Sequence, residues 1–189
     1  MHRGERTSRG RQDAWKGLSA GLIGGVAGSL AMAALQGLAS SIRGGGASAA
    51  LDSVAGDVAS SDRHPGGNLG LHRPSNVRAV RLLGRFAAGW TPDRRNEARA
   101  GRAFHFAFGA ALGGAYGVLV EYAPWASTGL GLPFGVAQVL MADETTVPAM
   151  GLSGPPAEAT ASAHASSLLA HSGYGLVTEL VRRSVRSRI

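Results

Sequence analysis

The sequence predicts an all-α integral membrane protein, a four-helix bundle packed through strips of glycine. Three observations carry that expectation: long uncharged apolar segments, charges clustered between them, and small residues recurring every four positions. Hydrophobic residues make up 44% of the 189, charged residues only 16%, against about 25% charged in an average soluble domain. Nearly all the charges lie before residue 17, between 43 and 102, or after 181.

The first segment, GLSAGLIGGVAGSLAMAALQGLASSI at 17–42, carries no charge. As a helix it would be ~39 Å long, enough to cross a ~30 Å hydrocarbon layer with some tilt. It is too long for the apolar core of a cleaved signal peptide, about 7–15 residues. The basic tail 1–16 precedes it. Residues 43–101 form a loop of different character, with GGGASAA and HPGGNLGLHRP rich in turn signals. Within it, Ala79, Leu82, Leu83, Phe86 and Trp90 make one helical stripe with Arg78, Arg81 and Arg85 opposite. That pattern fits a helix lying in a bilayer interface, and equally a surface helix packing on the protein's own core. Thr91-Pro92-Asp93 offers a helix start leading into the second span.

The region 102–181 holds three more spans: 103–120, 122–142, and 159–178, where histidine is the only ionisable type. Pro124 and Gly129 delay the third helix until near Pro133, a good first-turn residue. It then continues past Asp143 and Glu144. The basic tail 182–189 closes the chain. Five basic residues before the first span and four after the last favour both termini in the cytoplasm, although ten lie between the first two spans.

Gly17, Gly21 and Gly25 recur every four residues in the first span, and Gly109, Gly113 and Gly117 in the second. Such strips let helix backbones approach closely. GGAYGVLVE at 113–121 and HSGYGLVTE at 171–179 repeat one pattern, matching Tyr116 with Tyr174, Gly117 with Gly175 and Glu121 with Glu179. Two parallel helix pairs would follow, with Glu121 and Glu179 at one level beside Lys16, Arg182 and Arg183 as interfacial ion pairs. At the other level the same alignment brings His105 and His164 together with Asp143 and Glu144, and His171 extends the cluster inward. Ionisable groups at membrane depth face a bundle interior or water. Three readings of this cluster stay open: a proton relay or pH sensor, a divalent metal site for zinc or iron, and a static hydrogen-bonded network.

A net charge of +7 does not point to nucleic acid, because the arginines flank apolar segments instead of forming a stripe with exposed aromatics. There is no cysteine, hence no disulfide or thiolate site. No Gly-x-Ser-x-Gly, P-loop or His-Glu-x-x-His pattern is present. Ser166, Ser167 and Ser172 surround His171, yet serines on a small-residue membrane helix ordinarily satisfy backbone carbonyls or pack. The expectation is a protein that is not an enzyme and needs no cofactor. Its partner is the lipid bilayer, with a homo-oligomer or a larger membrane complex as further partners.

The runs HFAFGAALGGAYGVLVEYAP, GLGLPFGVAQVLMADETTVPAMGLSGPP and HASSLLAHSGYGLVTELVRR, with GLIGGVAGSLAM before them, resemble the YagU-like family of bacterial inner-membrane proteins. Where that family tends to place a polar residue after the Ala-Met of the first span, Ala33 and Ala34 follow Met32 here. The resemblance implies a multi-pass protein of the plasma membrane with a loose connection to acid resistance. It supplies no catalytic residues.

Overall fold

The computed structural model describes residues 12–42, 75–93, 95–146, 149–151, 157 and 160–189, without the side chains of residues 40, 42, 75, 87, 88, 143 and 144. The tail 1–11 and the turn-rich loop 43–74 fall outside the described residues. Every regular element described is helical: α1 (Ala14–Ile42), α2 (Ser75–Ala88), α3 (Glu97–Tyr122), a 3₁₀ segment (Pro124–Gly131), α4 (Leu132–Gln138), a π-helical segment (Val139–Thr146) and α5 (Ala161–Arg186).

The starts of these helices follow from local chemistry. Asp13 caps α1, its Oδ1 accepting from the N–H groups of Trp15 (3.1 Å) and Lys16 (3.2 Å). Thr160 does the same for α5 through Ala163 N–H at 3.3 Å. Thr91-Pro92-Asp93 does not open α3. The Asp93 carbonyl instead accepts from Asn96 and Glu97 N–H in a turn, and the helix begins at Glu97. α4 begins at Leu132 with Pro133 in its first turn, one residue from the expected start. Before it, Gly129, Leu130 and Gly131 all take positive φ (67°, 56° and 80°). Gly131 also faces α5 so closely that a Cβ would meet the Gly175 carbonyl. That position therefore requires glycine twice over.

α1 is the central helix and packs against both α3 and α5. Along it Gly17, Gly21 and Gly25 meet Gly117, Gly113 and Gly109 in descending order, so α1 and α3 run antiparallel. A Cβ at Gly21, Gly25, Gly113 or Gly117 would lie under 3.0 Å from facing backbone. Gly24 and Gly28, on another face, meet α5 at Thr178 and Tyr174. α5 is thus also antiparallel to α1, and α3 and α5 point the same way.

α3 and α5 flank α1 and meet each other through side chains. The Tyr174 hydroxyl donates to the Gly109 carbonyl at 2.6 Å, and Arg186 reaches Glu121; both contacts span 65 residues. The repeat GGAYGVLVE/HSGYGLVTE instead implies an offset of 58. The two patterns therefore sit seven residues out of step, about 10 Å along the axis. Close backbone contacts with α1 fix this register, whereas a sequence repeat reports only helical phase.

α4 packs on α5, where Gly135 sits against the His171 carbonyl and Gly175 against Gly131 and Gly135. Phe134 from α4 then stacks on Tyr116 of α3 (centroids 4.2 Å apart, 14° between planes) and tilts against Tyr174 (6.0 Å). Tyr174 forms the core with Met32 and Ala170, and Phe134 packs against them. Replacing Tyr174 by phenylalanine removes one buried hydrogen bond between α3 and α5. A loss of about 1 kcal/mol is expected in detergent unfolding; an unchanged midpoint would show that the bond contributes nothing.

Among the described residues two helices, Ala14–Ala39 and Glu97–Tyr122, are long and apolar enough to cross a membrane. α5 is as long as α3 but buries His171, Thr178, Glu179 and Arg182 on its inner face.

Candidate functional site: two polar levels in the bundle

The first polar level lies where α1 begins and α3 and α5 end. The Glu179 side chain is 0% exposed and Arg182 only 7%. Arg182 binds the carboxylate through two contacts, Nε to Oε2 at 2.7 Å and Nη2 to Oε1 at 2.9 Å. Arg183 adds a third bond to Glu179 through Nε, while its Nη2 donates to the Ser127 carbonyl at 3.0 Å. Tyr116 from α3 approaches the same carboxylate. A carboxylate held by several charge-assisted bonds is compensated without water.

One turn further out, Arg186 donates twice to Glu121 (2.5 and 3.0 Å), which also accepts from Asp13 N–H at 3.1 Å. The hydrogen bond to Glu121 raises the Arg186 pKa above its ordinary value, so this guanidinium stays charged at any working pH. Glu121 and Glu179 are ion-paired as the sequence suggests, but at different levels and with separate partners. Lys16 joins neither; its Nζ donates to the Ile189 carbonyl at 2.5 Å. Asp13 and Arg186 were missed in the sequence, although Arg186 lies one turn beyond the Arg182-Arg183 pair and shares its face.

The second level lies toward the other end. His171 is buried, with Nδ1 3.0 Å from the Ser167 carbonyl and 3.3 Å from Ser167 Oγ. A carbonyl only accepts, so Nδ1 carries the proton and Nε2 is the basic nitrogen of the neutral ring. His105, on α3, lies within electrostatic range of His171 and sets its ring edge-on to Phe106 at 5.6 Å. The 65-residue offset explains this partner. It brings His105 level with Ala170 and His171, and leaves His164 almost two turns away. His164 sits in the first turn of α5, where its N–H donates to the Thr160 carbonyl at 3.1 Å.

Asp143 and Glu144 belong to the π-helical segment, but their side chains lie outside the described residues. That segment is held by Thr145 and Thr146, whose hydroxyls donate five residues back to the carbonyls of Leu140 (2.8 Å) and Met141 (2.6 Å). Among the described residues no three of His, Cys, Asp or Glu are grouped to hold a metal ion.

Among the described residues the protein is thus all-helical, with charged groups and the His171 imidazole buried and two helices long and apolar enough to cross a bilayer. Residues 94–180, from the turn before α3 to Leu180 within α5, match the family described as "Protein of unknown function (DUF1440)". The similarity takes in both histidines of the second level and Glu121 and Glu179 of the first. It leaves out α1 and Arg182, Arg183 and Arg186. No curated protein and no solved structure matches the chain.

Proposed function

We propose that the chain is a four-span protein of the bacterial inner membrane with a non-enzymatic role in proton or membrane homeostasis, and that His105 and His171 are its protonatable pair. The observation that carries the membrane part is the inversion of the surface. Ile23, Val26 and Leu30 of α1, Phe108 and Leu119 of α3, and Leu168, Leu169 and Leu180 of α5 are exposed, while His171, Thr178, Glu179 and Arg182 are buried. Water as solvent favours the opposite arrangement; lipid favours this one.

Aromatic residues support the same reading. Trp15 and Trp125 are 76% and 73% exposed, and Tyr122 is exposed beside them, all at the end where the Glu-Arg level lies. Trp and Tyr collect at membrane boundaries because one side of the ring prefers lipid and the other water. The basic residues flanking that end favour its being cytoplasmic. The glycine strips at Gly21, Gly25, Gly109, Gly113, Gly117 and Gly175 would then serve as the packing seams of the bundle.

For the proton role, two imidazoles in one low-dielectric interior are costly to charge together. One proton held between two such rings suits a relay or a sensor. In sealed proteoliposomes a pH-dependent proton flux is expected, falling to the level of empty vesicles in His171→Gln and His105→Gln. Wild-type flux no greater than that of empty vesicles contradicts proton transfer by this protein.

A further inference from the structure

The second half of α2 leaves large apolar side chains uncovered. Phe86 is 85% exposed, Trp90 55%, and Leu83 is exposed beside them. The first half of the same helix is anchored. Val77 is buried against Gly101, where a Cβ would touch both Val77 and Asn76, and Arg81 binds Glu97 at 2.5 Å. α2 therefore holds the start of α3 at one end and presents rings at the other.

Trp90 is kept on that face by the backbone. Gly89 takes a φ of 61°, and the turn returns the Trp90 N–H to the Gly84 carbonyl at 3.0 Å. A Cβ at Gly84 would overlap the Trp90 carbonyl oxygen. Arg78, Arg81 and Arg85 occupy the flank of the same helix.

The position along the bundle identifies the occupant. From Gly101, where α2 docks, to Tyr122, beside Trp15 and Trp125, α3 rises about 31 Å. A hydrocarbon core is ~30 Å thick. α2 consequently docks one bilayer thickness from the aromatic group at the opposite end, and its contacts step from Gly101 to Glu97 as it runs from Val77 to Arg81, so its second half points outward past that level with Trp90 at this end of the bundle and Trp15 and Trp125 at the other.

We propose that α2 and Trp90 form an interfacial anchor. It would seat Leu83, Phe86 and Trp90 at the acyl boundary of the leaflet on the His105 side, with its arginines level with the phosphodiesters of anionic phospholipid. Basic amphipathic helices bind such surfaces through buried apolar area and attraction to anionic lipid together. The inference rests on the membrane-spanning reading above.

Single-tryptophan variants test both and keep them apart. Each retains Trp15, Trp90 or Trp125, with phenylalanine at the other two positions, and is reconstituted with phosphatidylglycerol and phosphatidylcholine brominated high on the acyl chain. All three are expected to be quenched, and Trp90 quenching should increase with the anionic fraction unless Arg78 and Arg85 are changed to glutamine. Should a double replacement fail to fold, the difference between wild type and Trp90→Phe gives the same reading. Quenching of Trp15 and Trp125 with Trp90 unaffected overturns the anchor and leaves the bundle in the membrane. Trp90 shielded from aqueous iodide but not quenched by bromine assigns the face to a protein partner and also overturns it. No quenching at any position overturns the spanning reading and the anchor with it.

Discussion

Gly113→Ala is expected to cost the fold about 3 kcal/mol or more, the upper end of overpacking penalties, whereas Gly114→Ala, one residue away, should cost well under half of that. At Gly113 a Cβ would lie 2.5 Å from the Gly21 carbonyl oxygen and 2.5 Å from the Gly25 Cα, both backbone atoms of α1. Neither can yield unless α1 and α3 separate, and separation withdraws Gly17, Gly21, Gly25, Gly109 and Gly117 from contact as well. At Gly114 the new methyl would meet Leu18 Cδ1 at 2.9 Å and Leu22 Cγ at 3.1 Å. Those atoms belong to flexible side chains at the outer edge of the helix pair, which can turn aside. Unfolding midpoints of the two variants in one detergent decide the matter; equal losses would mean that α1 and α3 do not pack backbone to backbone.

Removing the buried carboxylate should have a comparable effect for a different reason. Glu179→Ala strands the Arg182 guanidinium, which is only 7% exposed. An unpaired buried charge left by breaking such a pair costs about 3–5 kcal/mol. The double replacement Glu179→Leu with Arg182→Met removes both charges and fills the space. It should recover most of the stability, because a buried ion pair contributes little over apolar residues of the same shape. Arg183, 47% exposed on its side chain, can turn to water when its partner is gone. If the single and double variants were equally unstable, Glu179 would be holding something other than Arg182.

Much of this architecture was legible in the sequence because it depends on local chemistry. The first helix was expected over 17–42 and spans Ala14–Ile42. The delayed start of the third segment was readable from Pro124, Gly129 and Pro133. The pairing of Glu179 with Arg182 and Arg183 follows from helical spacing alone. The level of one helix against another was not legible. Aligning Tyr116 with Tyr174 is a statement about pattern, while the axial shift is set where Gly109, Gly113 and Gly117 lock onto α1. That shift moves the histidine partner from His164 to His171 and hands Glu121 to Arg186. The roles of Phe134 and Tyr174 were hidden for the same reason, since an aromatic residue in an apolar run carries no mark of being a spacer between two helices. The π-helical turn is a further case: it depends on Thr145 and Thr146 bonding backward, which competes with ordinary helix geometry.

The claim on which the rest stands is that lipid is the solvent for the outer faces of α1, α3 and α5 while the charged groups pack inside. The chain has no native cysteine, so single spin labels can be placed without background. Labels at Ile23, Leu30, Leu119 and Leu169 in a reconstituted bilayer should relax strongly with oxygen, which concentrates in hydrocarbon, and weakly with a water-soluble nickel chelate. A label at Trp125 should respond to both. Strong relaxation by the nickel chelate at Ile23, Leu30 and Leu169 would place those faces in water and contradict the membrane assignment.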